Sequence, residues 1–157
     1  MNKLFFALFC GYLVCAATLT VQAQDVFGEI ALNNKENIET RKLALSKVTD
    51  QDVFGVIASN DKENAEMRKL ALSRVTDQDV FSVIASNDKE NAEMRKLALS
   101  RVTDQDVLGA IALKDKNVEM RKLALSKVTD QDVLGEVALK DKNAEIRKIT
   151  LSRIKKE

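Results

Sequence analysis

The residue types available for covalent or metal chemistry are few in this sequence. Histidine is absent, and the two cysteines, Cys10 and Cys15, both lie in an apolar N-terminal segment. A Ser-His-Asp or Cys-His nucleophile and a Cys/His zinc site are therefore excluded for the rest of the chain. Carboxylates are plentiful, with 24 Asp and Glu, so acid–base chemistry by a carboxylate pair stays open. They recur at the same positions along the chain, however, whereas an active site needs one asymmetric set, and we predict no catalytic residue.

The polar segment Asn60-Asp61-Lys62-Glu63-Asn64 carries the oxygen ligands that calcium prefers. It lacks the glycine and the ligand spacing of an EF-hand loop. A polar turn followed by a helix cap accounts for it better, because asparagine caps helices well. We therefore predict no metal site and no cofactor.

The chain is built from a unit that is repeated five times. Residues 52–78 return at residues 79–105 with one change, Gly55 becoming Ser82, and looser copies flank them. Tandem similarity at a period of 26–27 residues is the mark of a repeat array. The predicted repeats are residues 25–51, 52–78, 79–105, 106–131 and 132–157.

Each repeat carries two helical patterns. The first follows a Thr-Asp-Gln-Asp segment, in which a threonine with a carboxylate three residues on is typical of a capping box. The second starts near an asparagine, as in residues 65–75. Helices this short are marginal alone, and stacking of neighbouring hairpins would bury both apolar faces. The sequence thus predicts an all-α fold, an α-solenoid of five tandem helical hairpins of 26–27 residues.

One position in the first helix of each repeat is always small. A glycine inside a helix costs about 1 kcal/mol relative to alanine, so its recurrence predicts a close contact between helices. The position is occupied by Gly28, Gly55, Ser82, Gly109 and Gly135.

The first 23 residues have the pattern of a secretory signal peptide. Lys3 is followed by an apolar stretch, residues 4–14, and Val21-Gln22-Ala23 suits cleavage by a signal peptidase. An uncleaved membrane anchor is the alternative, but the stretch is short for a span of about 20 residues. We expect a mature chain that begins at Gln24, is periplasmic or secreted, and is not stably inserted in a membrane.

Removal of this segment leaves a chain of balanced charge. Of the 25 lysines and arginines only Lys3 is lost, and the remaining 24 match the 24 acidic residues. A basic footprint is absent, so we predict no nucleic-acid partner. The charge is mildly polarised, from −1 in the first repeat to +2 in the last.

The second helix resembles a known family. Met67-Arg68-Lys69-Leu70-Ala71-Leu72 is similar to the second-helix signature of HEAT and HEAT-like repeats, and the similarity extends over residues 24–157. The repeats here are shorter than ordinary HEAT repeats and contain no proline. The resemblance implies a ladder of arginine–aspartate pairs, and on a helical wheel Arg68 falls among apolar residues, where a guanidinium should be paired. The implied arginines are Arg41, Arg68, Arg95, Arg121 and Arg147, with Asp50, Asp77, Asp104 and Asp130 as candidate partners and Asp52, Asp79, Asp106 and Asp132 close behind.

Two surfaces are candidates for binding a partner. The outer side of the first helices carries small apolar groups at Val56, Val83 and Ala110, which are alternatively exposed edges of the core. The outer side of the second helices, which we call the second-helix face, repeats Glu, Lys and Ser, and is alternatively a solvated surface copied by duplication. Its central residues are Glu66, Lys69, Ser73, Glu93, Lys96, Ser100, Glu119, Lys122 and Ser126.

The family resemblance implies a non-catalytic interaction module that binds a protein or peptide through the second-helix face. One alternative is a self-assembling structural or envelope-associated spacer, because the first repeat lacks the Thr-Asp-Gln segment and would expose an end capable of weak end-to-end association. Another is a carboxylate-based hydrolase.

Overall fold

The computed structural model describes residues 25–155, and within this range the chain is helical with no strand. Ten helices follow one another there in consecutive pairs, which confirms the predicted all-α fold of repeated hairpins. None of them is long and apolar enough to cross a bilayer. The predicted signal peptide, residues 1–23, lies outside the described residues. The helices are α1 (residues 25–32), α2 (Ile38–Lys47), α3 (Gln51–Ser59), α4 (Ala65–Arg74), α5 (Gln78–Ser86), α6 (Ala92–Arg101), α7 (Gln105–Lys114), α8 (Val118–Lys127), α9 (Gln131–Lys140) and α10 (Ala144–Leu151).

The described part of the chain divides into two compact units, with the division between Val75 and Thr76. In the second unit, α5 packs on α7, α7 on α9, and α6 on α8. First helices thus stack on first helices and second on second, as in a solenoid. In the first unit, α3 and α4 form a hairpin, and α1 approaches α3 at Gly28.

The small position of the first helix lies at close contacts between consecutive hairpins. A β-carbon placed on Gly28 would lie 3.2 Å from Cγ2 of Val53, and one on Gly109 would lie 3.2 Å from Cγ2 of Val133. The predicted close contact is therefore confirmed at these two glycines. A β-carbon on Gly135 would meet no atom of the described chain within 4 Å.

The helix caps agree with the prediction for second helices and differ for first helices. Asparagine caps α2, α4, α6, α8 and α10, as predicted, and Asn64 Oδ1 accepts from two backbone amides at 2.9 and 3.4 Å. The predicted threonine cap is wrong, because the aspartate after it caps α3, α5, α7 and α9. Asp104 Oδ1, for example, accepts from two amides at 2.8 and 3.4 Å. A carboxylate is the stronger acceptor and also interacts favourably with the positive end of the helix dipole.

The threonines instead bind a glutamine of the preceding repeat. Gln78 Oε1 accepts from the amide and hydroxyl of Thr103 at 3.0 and 3.1 Å. Gln105 accepts in the same way from Thr129 at 2.9 and 3.2 Å. Each glutamine is the first residue of its helix, so the contact ties the start of one first helix to the start of the next.

A cation at the end of a second helix binds the end of the second helix before it. Lys127 Nζ donates to the carbonyl oxygens of Leu99 and Ser100 at 3.1 and 2.7 Å, and Arg74 makes the equivalent contacts in the first unit. The last carbonyls of a helix lack an intrahelical donor and carry the negative end of its dipole. The cation of one second helix therefore supplies the missing hydrogen bonds to the last carbonyl oxygens of the second helix before it.

Candidate interaction surface

The arginines of the second helices are buried. Arg41, Arg68, Arg95 and Arg121 are between 5 and 9 % exposed. In the first three repeats the arginine Nε donates at 3.0 Å to a carbonyl oxygen near the end of the first helix of the same repeat. Arg147 is half-buried and donates to the backbone oxygen of Asp141 at 2.7 Å.

The carboxylates that pair with these arginines are not the predicted ones. In each of three pairs, an arginine of one repeat binds an acidic residue in the interhelical loop of the next repeat. In the best-defined pair, Arg121 Nε and Nη2 lie 2.8 and 3.1 Å from the two carboxylate oxygens of Asp141. We call this set the arginine ladder, and its pairs are Arg41–Glu63, Arg95–Asp115 and Arg121–Asp141.

The predicted partners serve another purpose. Their carboxylates accept the first backbone amides of the first helices, which holds them at the helix start. The loop acids, in contrast, lie at the level of the preceding arginine and are oriented by a backbone amide. The amide of the cap asparagine donates to Glu63, Asp115 and Asp141 at 2.7, 2.8 and 2.7 Å. The aspartates that cap instead of pairing are Asp50, Asp77, Asp104 and Asp130.

The ladder forms in repeats of two lengths, and different arginine nitrogens are used: Arg41 binds Glu63 through Nη1 and Nη2, whereas Arg121 binds Asp141 through Nε and Nη2. Glu63 directly precedes its cap asparagine, whereas Asp115 and Asp141 precede theirs by two residues in repeats that are one residue shorter. The longer glutamate and the shorter aspartate each bring a carboxylate to the arginine of the preceding repeat. An acidic residue close to the cap asparagine in every repeat is the sequence feature that accompanies this pairing.

The ladder lowers the pKa of two carboxylates, Glu63 and Asp141. The hydrogen bond from Arg41 holds the pKa of Glu63 below its usual value, against the opposing effect of burial. Burial acts to raise the pKa of Asp141, but hydrogen bonds from Arg121 and from the Asn143 amide, together with the arginine charge, lower it overall. Both carboxylates are therefore held in the ionised form.

Acid is expected to weaken the arginine ladder. A carboxylate whose pKa is lowered by folding stabilises the native state above its unfolded pKa of about 4, and that stabilisation is lost as the pH falls through the folded pKa. The free energy of unfolding from urea melts should therefore decline as the pH drops below about 5. Asp141→Asn should reduce stability at neutral pH and flatten this decline, because asparagine carries no charge and does not titrate. Glu119→Gln is the control, since Glu119 is exposed and forms no salt bridge within residues 25–155. An equal change in the stability–pH profiles of Asp141→Asn and Glu119→Gln would contradict the role of Asp141 in the arginine ladder.

The glutamates and serines of the second-helix face are exposed, and Lys69 is partly buried. The serine hydroxyls are engaged as donors, since Ser73, Ser100 and Ser126 each donate to the carbonyl oxygen three residues earlier at 2.6 Å. Such local bonds are common for serine in helices. The hydroxyl oxygens can still accept, so the serine row offers acceptors to a partner.

Two lysines of this face bridge to the glutamate of the next repeat. Lys122 Nζ lies 2.8 Å from a carboxylate oxygen of Glu145, and Lys42 pairs with Glu66. The hydrogen bonds to these glutamates raise the pKa of both lysines. Exposed pairs contribute little to stability, but they neutralise the face locally. Lys96 is exposed and makes no salt bridge within the described part of the chain, so its charge is available to a partner.

A groove of about 350 Å³ lies between α8 and α10 on the second-helix face. It is open because α10 packs mainly against α9 and much less against α8. The groove brings two of the predicted site residues, Lys122 and Ser126, beside an apolar surface. Its apolar lining consists of Leu125, Ile146 and Ile149. Its polar lining includes Lys122, Ser126 and Arg153.

The groove is suited to hold an apolar side chain of a partner, with cations at its edge. Leu125 and Ile146 are buried, whereas Ile149 is 45 % exposed and accessible. Residues 25–155 contain no group of three or more His, Cys, Asp or Glu side chains arranged to hold a metal ion. The groove combines apolar contacts from Leu125, Ile146 and Ile149 with positive charge from Lys122 and Arg153.

Comparison with known proteins adds no relative. No protein-family model matches the chain, and no curated protein or solved structure matches it significantly. The helical-repeat architecture rests on the packing of the hairpins, and the HEAT-like assignment remains a prediction from the second-helix motif.

Proposed function

We propose that this protein is an exported, non-catalytic module of HEAT-like repeats that binds a protein or peptide through its second-helix face. The observation that carries the proposal is the groove between α8 and α10, where Lys122 and Ser126 border an apolar floor. Solenoids commonly bind partners along such extended helix surfaces. The binding site is centred on this groove.

The groove favours a partner segment with an apolar side chain next to a carboxylate. Leu125, Ile146 and Ile149 provide the apolar contact. Lys122 and Arg153 carry positive charge at the rim, although Lys122 is paired with Glu145 in the free protein. A carboxylate of the partner would compete with Glu145 for this lysine, and the serine row would accept donors from the backbone of the partner.

The absence of catalysis is part of the proposal, and the use of the carboxylates supports it. Asp104 and its equivalents cap helices, while Glu63, Asp115 and Asp141 are tied to arginines. General acid–base catalysis needs a carboxylate within reach of a substrate. These carboxylates are instead engaged in helix starts and ion pairs.

Export is proposed from residues 1–23, which have the pattern of a cleaved signal peptide. Mass spectrometry of the protein from its native host is expected to show Gln24 as the first residue. Retention of Met1, or a lipid on Cys10 or Cys15, would contradict this part of the proposal.

Selection from a displayed library of random peptides tests the binding site. Enriched peptides should share an apolar residue beside Asp or Glu and should bind Ile149→Glu roughly tenfold or more weakly, because a buried unpaired carboxylate opposes binding. Lys122→Glu should mainly lower the association rate and its salt dependence. Both variants should retain the helical circular dichroism of the parent, since both side chains are at least partly exposed.

Val83→Glu is the matched control for Ile149→Glu. Val83 is a first-helix side chain that is 63 % exposed, so it accepts a charge without loss of the fold. Peptides that tolerate Ile149→Glu and fail on Val83→Glu would transfer the binding site to the first helices. A library that yields no enriched sequence would leave the chain without peptide-binding function and overturn the proposal.

A further inference from the structure

We propose that this protein associates head to tail with a second copy, the α9–α10 hairpin of one copy stacking on the α1–α2 hairpin of the next. The proposal rests on side chains that lack the neighbours their equivalents have in other repeats. It is independent of the groove between α8 and α10, and it commits to a second copy of this chain as the occupant of both surfaces.

The first complementary pair is a glycine and a valine. Gly28 lies against Val53 and Gly109 lies against Val133, the valine of the next first helix in each case. A β-carbon added to either glycine would lie 3.2 Å from Cγ2 of that valine. At Gly135 the same space holds no described atom within 4 Å. The valine that would fill it by the same rule is Val26 of a second copy.

The exposure of Val26 is consistent with this role. Val26 is 50 % exposed, whereas its equivalent Val53 is 9 % exposed. Val53 is the residue that approaches Gly28, so burial of this valine accompanies the contact with a preceding first helix. Stacking of Val26 on Gly135 would reproduce that burial between two copies.

The second complementary pair is an arginine and a glutamate. The arginine ladder joins the arginine of one repeat to the loop acid of the next, as in Arg41–Glu63. Arg147 has no carboxylate partner among residues 25–155. Glu36 stands at the position of Glu63, is exposed, and has no cationic partner in the same range. Arg147 of one copy and Glu36 of another would therefore form one more arginine–carboxylate pair of the ladder.

A leucine extends the match on the α9–α10 side. Leu151 is 60 % exposed, although its equivalent Leu99 is completely buried. The last repeat carries a sequence charge of +2 and the first repeat a charge of −1, and these opposite signs favour the contact at low ionic strength. The contact is heterologous, and such contacts build open arrays when the rotation between copies does not close a ring.

Sedimentation velocity over a concentration series at low ionic strength tests the association. The protein is used as its native host processes it. We expect its weight-average mass to rise with concentration, and Arg147→Glu or Glu36→Arg to weaken association roughly tenfold or more, because each places like charges in contact. A mass equal to one chain at all concentrations would overturn the proposal.

Mixing the two charge variants distinguishes the proposed contact from nonspecific aggregation. The glutamate variant presents glutamate on both surfaces, and the arginine variant presents arginine on both. Each should remain monomeric alone, while an equimolar mixture should form alternating arrays. Failure of the mixture to associate, or association that both variants retain unchanged, would show that Glu36 and Arg147 do not meet.

Two further variants serve as controls. Gly135→Val should abolish association without loss of stability, because it fills a space that is open within the described chain. Lys142→Glu makes the same charge change as Arg147→Glu in an exposed loop residue. Its equivalent Lys116 pairs with Asp88 of the preceding repeat, so we expect Lys142 to act on that side of the hairpin and its change to leave association intact. Equal loss of association in Lys142→Glu and Arg147→Glu would assign the effect to net charge and reject the specific contact.

Discussion

Replacement of Arg95 by alanine is expected to lower the free energy of unfolding by about 3–5 kcal/mol, the cost of removing one partner of a buried ion pair. The side chain of Asp115, 6 % exposed, would lose its cation, and the backbone oxygen of Ala85 would lose a donor at 3.0 Å. A buried carboxylate without a partner is strongly unfavourable. Urea unfolding followed by circular dichroism at neutral pH measures the effect.

Lys96→Ala is the matched control, because Lys96 is the next residue and is exposed. It should cost about 0.5 kcal/mol or less. The double variant Arg95→Ala, Asp115→Ala should cost less than the two single changes added together, because neither charge is then left alone. Equal effects of Arg95→Ala and Lys96→Ala would mean that the ladder does not hold successive hairpins together.

Leu99→Ala and Leu151→Ala are expected to differ widely although the two leucines occupy the same position of the repeat. Leu99 is completely buried, and its truncation should cost about 2–5 kcal/mol through lost apolar contact and a cavity. Leu151 is 60 % exposed, and its truncation should cost about 0.5 kcal/mol or less in the single chain. Thermal or urea unfolding at dilute protein concentration measures both.

The concentration dependence of the Leu151 variant adds a second result. If copies stack as proposed, Leu151→Ala should become more costly as protein concentration rises, because the leucine is then buried by the next copy. Leu99→Ala should show no such additional dependence. A large cost for Leu151→Ala in the dilute monomer would contradict its exposed position.

The fold was predictable because the sequence repeats its own signals. Asn64 and its equivalents mark the start of each second helix, and the pattern around Arg68 correctly predicted a buried guanidinium. These features depend on one repeat alone. Propensity, capping and helical periodicity are local properties, so a single sequence is enough to read them.

The contacts between repeats were less predictable. The arginine partners were misassigned because pairing depends on how far one hairpin is displaced and rotated against the next, which periodicity within a repeat does not define. The same limit applies to Gln78 with Thr103 and to Lys127 at the end of α6. The groove between α8 and α10 follows from the packing of α10 against α9, a tertiary feature without a local sequence signal.

The way in which the ladder divides each ion pair between neighbours has a consequence for how the chain can change in length during evolution. In each of the three pairs the arginine belongs to one repeat and the acid to the next, so duplication of a whole repeat would supply a new arginine together with a new acid. Residues 52–78 and 79–105 differ at one position, as expected of a recent copy. Because Glu63 and Asp115 both pair with an arginine of the preceding repeat, from repeats of unequal length, recombination that is out of register by one residue need not leave a buried charge unpaired.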